Sequence, residues 1–406
     1  MVILWFQNGY KYMMLSKQLI RASLLLTCLL FTACSLNPVT GEQELLLPSK
    51  ATDYQIGQSQ YKPAQQSQGG AYLLDPKLSA YVATVGQKLA AVSDSPELPY
   101  EFVVLNNSVP NAWALPSGKI AINRGLLLQL KDEAQLAAVL GHEIVHAAAR
   151  HGAQQMRNQQ FMQLGLAGLG VALQDNDYRS LVIGGAALGA QLTSAKYSRG
   201  NELESDEYGM KYMAKAGYDL QAAVELQEIF LSLSKQGNSS WLEGLFASHP
   251  PSAERVQKNT EHVASFSPQA GYRGAQAYQN AIQYLRAKAP AYELASKAAK
   301  ALTENRTNEA EQFIKQAIEI EPKEAQFHSL AGSIYQAKGN NALALAEHNK
   351  ATSLNPEQFS YYLARGESLV AQGKANLALV DFEQSMSLLP TSTALSYINS
   401  LSDNKY

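Results

Sequence analysis

A chain of 406 residues exceeds one ordinary domain, so two or more hydrophobic cores are expected. Lys and Arg number 33 against 35 Asp and Glu, a formal charge of −2, and no dense basic run is interleaved with aromatics. That balance excludes a nucleic-acid footprint, and nucleic acid is not expected among the partners.

At the N-terminus, Lys17 and Arg21 precede the apolar run ASLLLTCLLFTA (22–33), which is short for a membrane span and ends in small residues. Residues 1–33 are therefore expected to be an export signal, with Met14 as a second start of more typical signal length. The run closes on FTAC (31–34), which resembles the bacterial lipobox, where cleavage precedes a cysteine that becomes diacylated. The only cysteines are Cys28 and Cys34, so cleavage leaves Cys34 alone and no disulfide can form. Acyl chains contribute roughly 0.8 kcal/mol per buried CH₂, enough for lipidated Cys34 to hold the chain on a membrane surface. Ser35, by similarity to Gram-negative lipoproteins, favours the outer membrane. A plain cleaved signal with Cys34 left as a thiol is the alternative.

Residues 34–70 are polar, Gln/Ser-rich and end in QSQGG, which suggests a tether; a first globular unit is expected over 71–265. Apolar residues spaced three and four apart (Leu78, Val82, Val85, Leu89) predict an amphipathic helix over 76–92. YEFVVLN (100–106) predicts a strand, and NAWALPSGKIAINRGLL (111–127) predicts two short strands around a PSG turn. From Asp132, as N-cap, helical periodicity runs to about Gln160. FMQLGLAGLGVAL (161–173) and LVIGGAALGAQL (181–192) each fall short of the roughly 20 residues of a spanning helix and read as buried or membrane-proximal helices.

The C-terminal region repeats. Pro322, Pro356 and Pro390, Ala310, Ala344 and Ala378, the pair Gly332 and Gly366, and the pair Gly339 and Gly373 all recur with a period of 34. Small residues let paired helices approach and the Pro stops the second helix, a pattern that resembles the tetratricopeptide repeat. Three units are expected over about 290–390, within a domain of 290–406 that ends in a capping helix near 393–402; residues 266–289 are expected to be a linker helix.

Chemistry centres on GHEIVHAAARH (141–151). His142 and His146, four apart on a helix, share a face and can reach one cation at roughly 2.0–2.1 Å, which suits zinc. Glu143 is rotated toward the side where it can take a proton from water at that cation. A third protein ligand is required, and SRGNELESDEYG (198–209) is acidic and helix-compatible. His142-Glu143-x-x-His146 with Glu202-Leu-Glu-Ser-Asp206 resembles the HExxH and ExxxD pair of the zinc metallopeptidases that include HtpX, the CAAX prenyl endopeptidase and BepA.

The resemblance implies Glu202 as third ligand of one zinc per chain and Asp206 as an outer acceptor fixing a histidine tautomer; Glu204, out of phase, is the rival ligand. NPVTGEQELLL (37–47) is similar to the segment after the lipidated cysteine in lipoprotein members. NAWALPSGKIAINRGLL is similar to the family's substrate-pairing edge strand, which makes Asn111, Ala112 and Ala114 the expected peptide-binding positions. SHPPSAERV (248–256) is similar to the family's SHPxxxxR segment and implies His249 and Arg255 at the active site, Arg255 toward substrate. His249 either stabilises the oxyanion or occupies zinc's open position. His151 reads as structural.

The expected fold is mainly α: an α+β zincin-type metallopeptidase domain with a small edge-stranded sheet, then tetratricopeptide repeats. The expected function is a periplasmic, outer-membrane-anchored zinc endopeptidase acting on unfolded or misassembled proteins, with the repeats engaging the outer-membrane assembly machinery. The second reading is a repeat-based chaperone or adaptor with a latent peptidase site.

Overall fold

The structure, a computed structural model, describes residues 34–45, 49–156, 196–237, 244–266 and 271–403. The export signal expected at 1–33 and the helices expected at 161–173 and 181–192 lie outside the described residues. Among those described, no helix is long and apolar enough to cross a membrane.

Where a tether was expected, the structure has ordered elements. Strands β1 (Cys34–Leu36) and β2 (Gln43–Leu45) form an antiparallel hairpin, and helix α1 (Lys50–Ser67) starts at Ser49, whose hydroxyl accepts the Thr52 N–H. α1 docks through close backbone approach, polar contacts and a small apolar cluster in which Ile56, Tyr61 and Ala64 meet Leu105, Trp113 and Leu115. A Cβ on Gly57 would lie 2.2 Å from the Pro116 carbonyl oxygen, and Tyr61 donates its hydroxyl to the Ile120 carbonyl at 3.1 Å. A Gln-rich helix held this way has little of the periodicity that pattern reading detects.

Helix α2 (Pro76–Ala90) has Pro at its first position and Asp75 as N-cap, and buries Leu78, Val82, Val85 and Leu89. Burying each such side chain contributes about 1.5–3 kcal/mol. The sheet then forms from β3 (Glu101–Leu105), β4 (Ala112–Leu115) and β5 (Lys119–Asn123), with β5 central, parallel to β3 and antiparallel to β4. The register pairs Ala112 with Ile122 and Ala114 with Ile120 across the Pro116–Gly118 turn. β4 is an edge strand, and a short helix α3 (Arg124–Leu127) follows β5.

Helix α4 (Glu133–Ala148) is capped by Asp132 and buried on nearly every side. It ends twelve residues before the expected Gln160, because Arg150 adopts φ 60 and the chain turns before residues 151–156 resume helically. Asp53 of α1 pairs with the Arg150 guanidinium at 2.5 Å, which supports that left-handed turn. Helices α5 (Arg199–Lys215) and α6 (Gln221–Lys235) pack on α4, and α8 (Ala253–Ser265), preceded by the short α7 (Leu245–Ser248), packs on α5 and α6.

The linker helix expected at 266–289 is instead α9 (Ala275–Ala281) followed by the start of α10 (Gln283–Thr303), which runs through residue 290. α10 and α11 (Thr307–Ile320), α12 (Ala325–Ala337) and α13 (Asn341–Leu354), and α14 (Phe359–Val370) and α15 (Ala375–Leu388) form three helical hairpins closed by α16 (Ser392–Asp403). The repeat positions fill equivalent places: Gly332 faces the His348 ring and Gly366 the Phe382 ring, where a Cβ would come within 2.3 and 2.6 Å. Ala298 and Ile314 are the corresponding buried pair in the first hairpin. A polar seam joins the repeats to the sheet. Glu324 accepts from the Asn106 amide at 3.0 Å and from the Tyr292 hydroxyl at 2.6 Å, while the Arg124 guanidinium lies 3.3 Å from the Tyr292 ring centre.

The fold is thus mainly α, a helical domain around a small mixed sheet followed by helical repeats.

Candidate metal centre

α4 and α5 cross where Gly141 meets Gly209, and a Cβ on Gly209 would lie 3.0 Å from the His142 backbone nitrogen. Seven and three residues before that crossing, Glu202 and Asp206 project from α5 toward the histidines of α4. His249 follows directly on α7 as its C-cap; the Leu245 N–H of that helix donates to the Pro110 carbonyl at 2.9 Å beside β4, while the Ser248 carbonyl accepts the Tyr197 N–H at 3.4 Å.

The donor atoms of His142, His146, Glu202 and His249 all lie within 4.8 Å of one another and all four residues are buried. His142 Nε2 is 3.0 Å from His146 Nε2 and 3.2 Å from His249 Nδ1; Glu202 lies 3.5, 3.4 and 2.9 Å from His142, His146 and His249. Ligands bound at roughly 2.0–2.1 Å in a tetrahedron are separated by about 3.3 Å, so these spacings match its edges. Two imidazole nitrogens 3.0 Å apart with the Glu202 carboxylate oxygens 3.4 and 3.5 Å from them suit a shared cation. The histidines and a buried carboxylate supply the nitrogen and oxygen donors zinc takes. The residues present therefore fit zinc.

Outer contacts fix the donors. His142 Nδ1 is 3.0 Å from Asp206 Oδ1, and Arg255 donates to both Asp206 oxygens at 2.7 Å and pairs with Glu202 at 2.8 Å. Arg255, expected to face substrate, is instead buried behind the ligands with its guanidinium committed to Asp206, Glu202 and the Pro250 carbonyl. Glu204 is not in the donor group; it lies 3.4 Å from His151. His151, read from its spacing as structural, comes 2.8 Å from the His146 ring because of the turn at Arg150. Tyr197 stacks on His146 with ring centres 3.8 Å apart, a contact that no sequence pattern announced. Asn111, Ala112 and Ala114 are buried on and beside edge strand β4.

Charge is tuned by these contacts. Burial pushes the Glu143 carboxyl up, against the pull of His249 and His142. Burial would also raise Glu202 and Asp206, but His249 and Arg255 hold Glu202, and Arg255 holds Asp206, below the usual carboxylate range. Burial keeps the His146 imidazole neutral, as a metal ligand must be. Glu143 Oε1 stands 3.5 Å from His249 Nε2, and Glu143 Oε2 has no partner among the described residues. A carboxyl that burial pushes above its usual range, beside the donor group, is equipped for proton transfer.

Comparison with known proteins agrees with this site. Residues 76–263 match the profile of Peptidase family M48. The chain is 29% identical over 200 residues to a putative beta-barrel assembly-enhancing protease of Vibrio cholerae, covering 48% of this chain and 41% of that one. It is 29% identical over 234 residues to the mitochondrial metalloendopeptidase OMA1 of Schizosaccharomyces pombe, covering 57% and 67%, and 32% identical over 171 residues to the metalloprotease YcaL of Escherichia coli, covering 41% and 63%. The chain spans 41% of the length of the Vibrio cholerae protein. The matched segment contains α4, α5 and α7 with all four donors and Glu143, so the chain is similar to peptidase family M48 over the residues that build the site.

Proposed function

We propose that this chain is a zinc-dependent endopeptidase of the periplasm, anchored to the outer membrane through lipidated Cys34, that degrades misfolded or stalled outer-membrane proteins. The carrying observation is a buried group of three histidines and one glutamate within 4.8 Å, with Glu143 at its edge. When bound, zinc supplies Lewis acidity to a scissile carbonyl and to the attacking water. Glu143 takes the proton from that water and delivers it to the leaving amine. Asp206 and Arg255 orient His142 and Glu202 and do not contact substrate. Edge strand β4, with Asn111, Ala112 and Ala114, is the proposed pairing edge for an extended peptide. The helical repeats, and the similarity to beta-barrel assembly-enhancing proteases, support a partner in outer-membrane protein assembly.

His249 stands inside the donor group, which favours the reading in which it fills the fourth position and holds the peptidase off until substrate displaces it. That observation equally supports an adaptor whose repeats do the main work and whose peptidase site is latent. Casein cleavage and zinc content of the full chain in detergent separate the two. The peptidase reading predicts activity lost by 10³-fold or more in Glu143→Gln with zinc retained, and raised in His249→Ala. Zinc present with no cleavage by wild type or by His249→Ala favours the adaptor.

A further inference from the structure

We propose that Glu204 is a positioning residue of the metal centre, acting through His151 on His146, and that the N-terminal hairpin holds it there; the inference rests on the metal reading above. The chain reverses at Arg150, and His151 Nδ1 comes 2.8 Å from His146 Nδ1. At that distance one nitrogen carries a proton and the other accepts it. If His151 donates, His146 carries its own proton on Nε2, the atom 3.0 Å from His142 Nε2 and 3.4 Å from Glu202, and no cation can bind there. If His146 donates, its Nε2 lone pair faces the other ligands, and the proton of His151 sits on Nε2.

Glu204 decides between these states. Its Oε1 is 3.4 Å from His151 Nε2, too long for a strong hydrogen bond but close enough for a carboxylate to favour the N–H there. The Ser205 hydroxyl, 3.5 Å from His151 Nδ1, is the weaker claimant for that nitrogen. The side chain that selects the binding-competent tautomer of His146 is therefore two removed from the metal, as outer-shell carboxylates commonly are.

The hairpin enters through Asn37, which is fully buried. Asn37 Oδ1 accepts the Val39 N–H at 2.9 Å, and its Nδ2 donates to Glu44 Oε1 at 2.8 Å and reaches Glu204 Oε1 at 3.4 Å. Asn37 thus sets the turn between β1 and β2 and touches Glu204 with the same side chain. The segment that begins at Cys34, the expected attachment point, is in this way part of the support of the metal centre.

The test is zinc affinity, read by chelator competition on the full chain in detergent, with the visible spectrum of the cobalt-substituted protein as a second readout. Glu204→Ala is expected to weaken zinc binding by roughly 10–100-fold, and Asn37→Ala to weaken it less, with the cobalt bands shifted in both. In a His151→Ala background Glu204 has no ring through which to act on His146, so adding Glu204→Ala causes no further loss. Wild-type affinity in Glu204→Ala, or an equal loss in both backgrounds, overturns the inference while leaving the metal reading intact. A wild-type chain that binds no zinc removes both.

Discussion

His142 has its two ring nitrogens committed in opposite directions, Nε2 into the donor group and Nδ1 to Asp206 at 3.0 Å. Arg255 holds Asp206 by two hydrogen bonds of 2.7 Å and keeps it ionised, so the carboxylate accepts the Nδ1 proton and leaves Nε2 free. Asp206→Asn can present an N–H to that nitrogen and reverse the preference. It is expected to weaken zinc binding by roughly 10–100-fold. It also leaves Arg255 with only one carboxylate in a buried setting and destabilises the fold by about 3 kcal/mol, read as a lower midpoint in urea. His142, Glu143, His146 and Glu202 were legible from motif spacing alone, because ligand geometry on one helix face restricts residue type tightly. Arg255 was assigned to substrate by position in its motif, and only the three-dimensional arrangement shows that its charge is spent behind the ligands.

At the scale of elements, the site depends on how closely α4 and α5 approach. With 3.0 Å between a Cβ on Gly209 and the His142 nitrogen, Gly209→Val forces the helices apart. Overpacking of that kind costs about 1–3 kcal/mol, and here it also draws Glu202 away from the histidines. The variant is expected to melt lower and to lose zinc at chelator concentrations the wild type resists; an unchanged affinity would mean that the crossing does not set the ligand distance. Amphipathic α2 and the strands around the PSG turn could be read from periodicity because their buried faces are apolar. α1 and the end of α4 could not. α1 is held by a glycine contact, a tyrosine hydroxyl, the Asp53–Arg150 ion pair and only three apolar side chains in a Gln-rich helix, and the break in α4 lies at an arginine in a conformation usually left to glycine.

In the whole molecule the repeats and the sheet-bearing domain share the seam at Glu324, Tyr292, Asn106 and Arg124, and the repeats carry a pH sensitivity of their own. The 34-residue period was readable because each Pro and each small residue recurs. The seam was not, since the contact that joins sheet to repeats, Asn106 with Glu324, spans 218 residues. In the middle hairpin His348 occupies the place held by Phe382 in the next, and burial lowers its imidazole to about 4. Its folded pKa lies below the unfolded value of 6.5, so its contribution is complete above pH 6.5 and is lost as pH falls toward 4. The loss amounts to about 3 kcal/mol. His348→Phe is expected to remove that part of the acid sensitivity, seen as a smaller drop in unfolding midpoint between pH 7 and 4.5; an equal drop would assign the sensitivity elsewhere. The central claim is a mononuclear zinc centre built by His142, His146 and Glu202 with His249 closing it, and X-ray absorption at the zinc edge tests it most directly. The account predicts one zinc per chain with four nitrogen and oxygen neighbours at roughly 2.0–2.1 Å. Zinc far below one per chain, or the same zinc shell in His146→Ala, would contradict it.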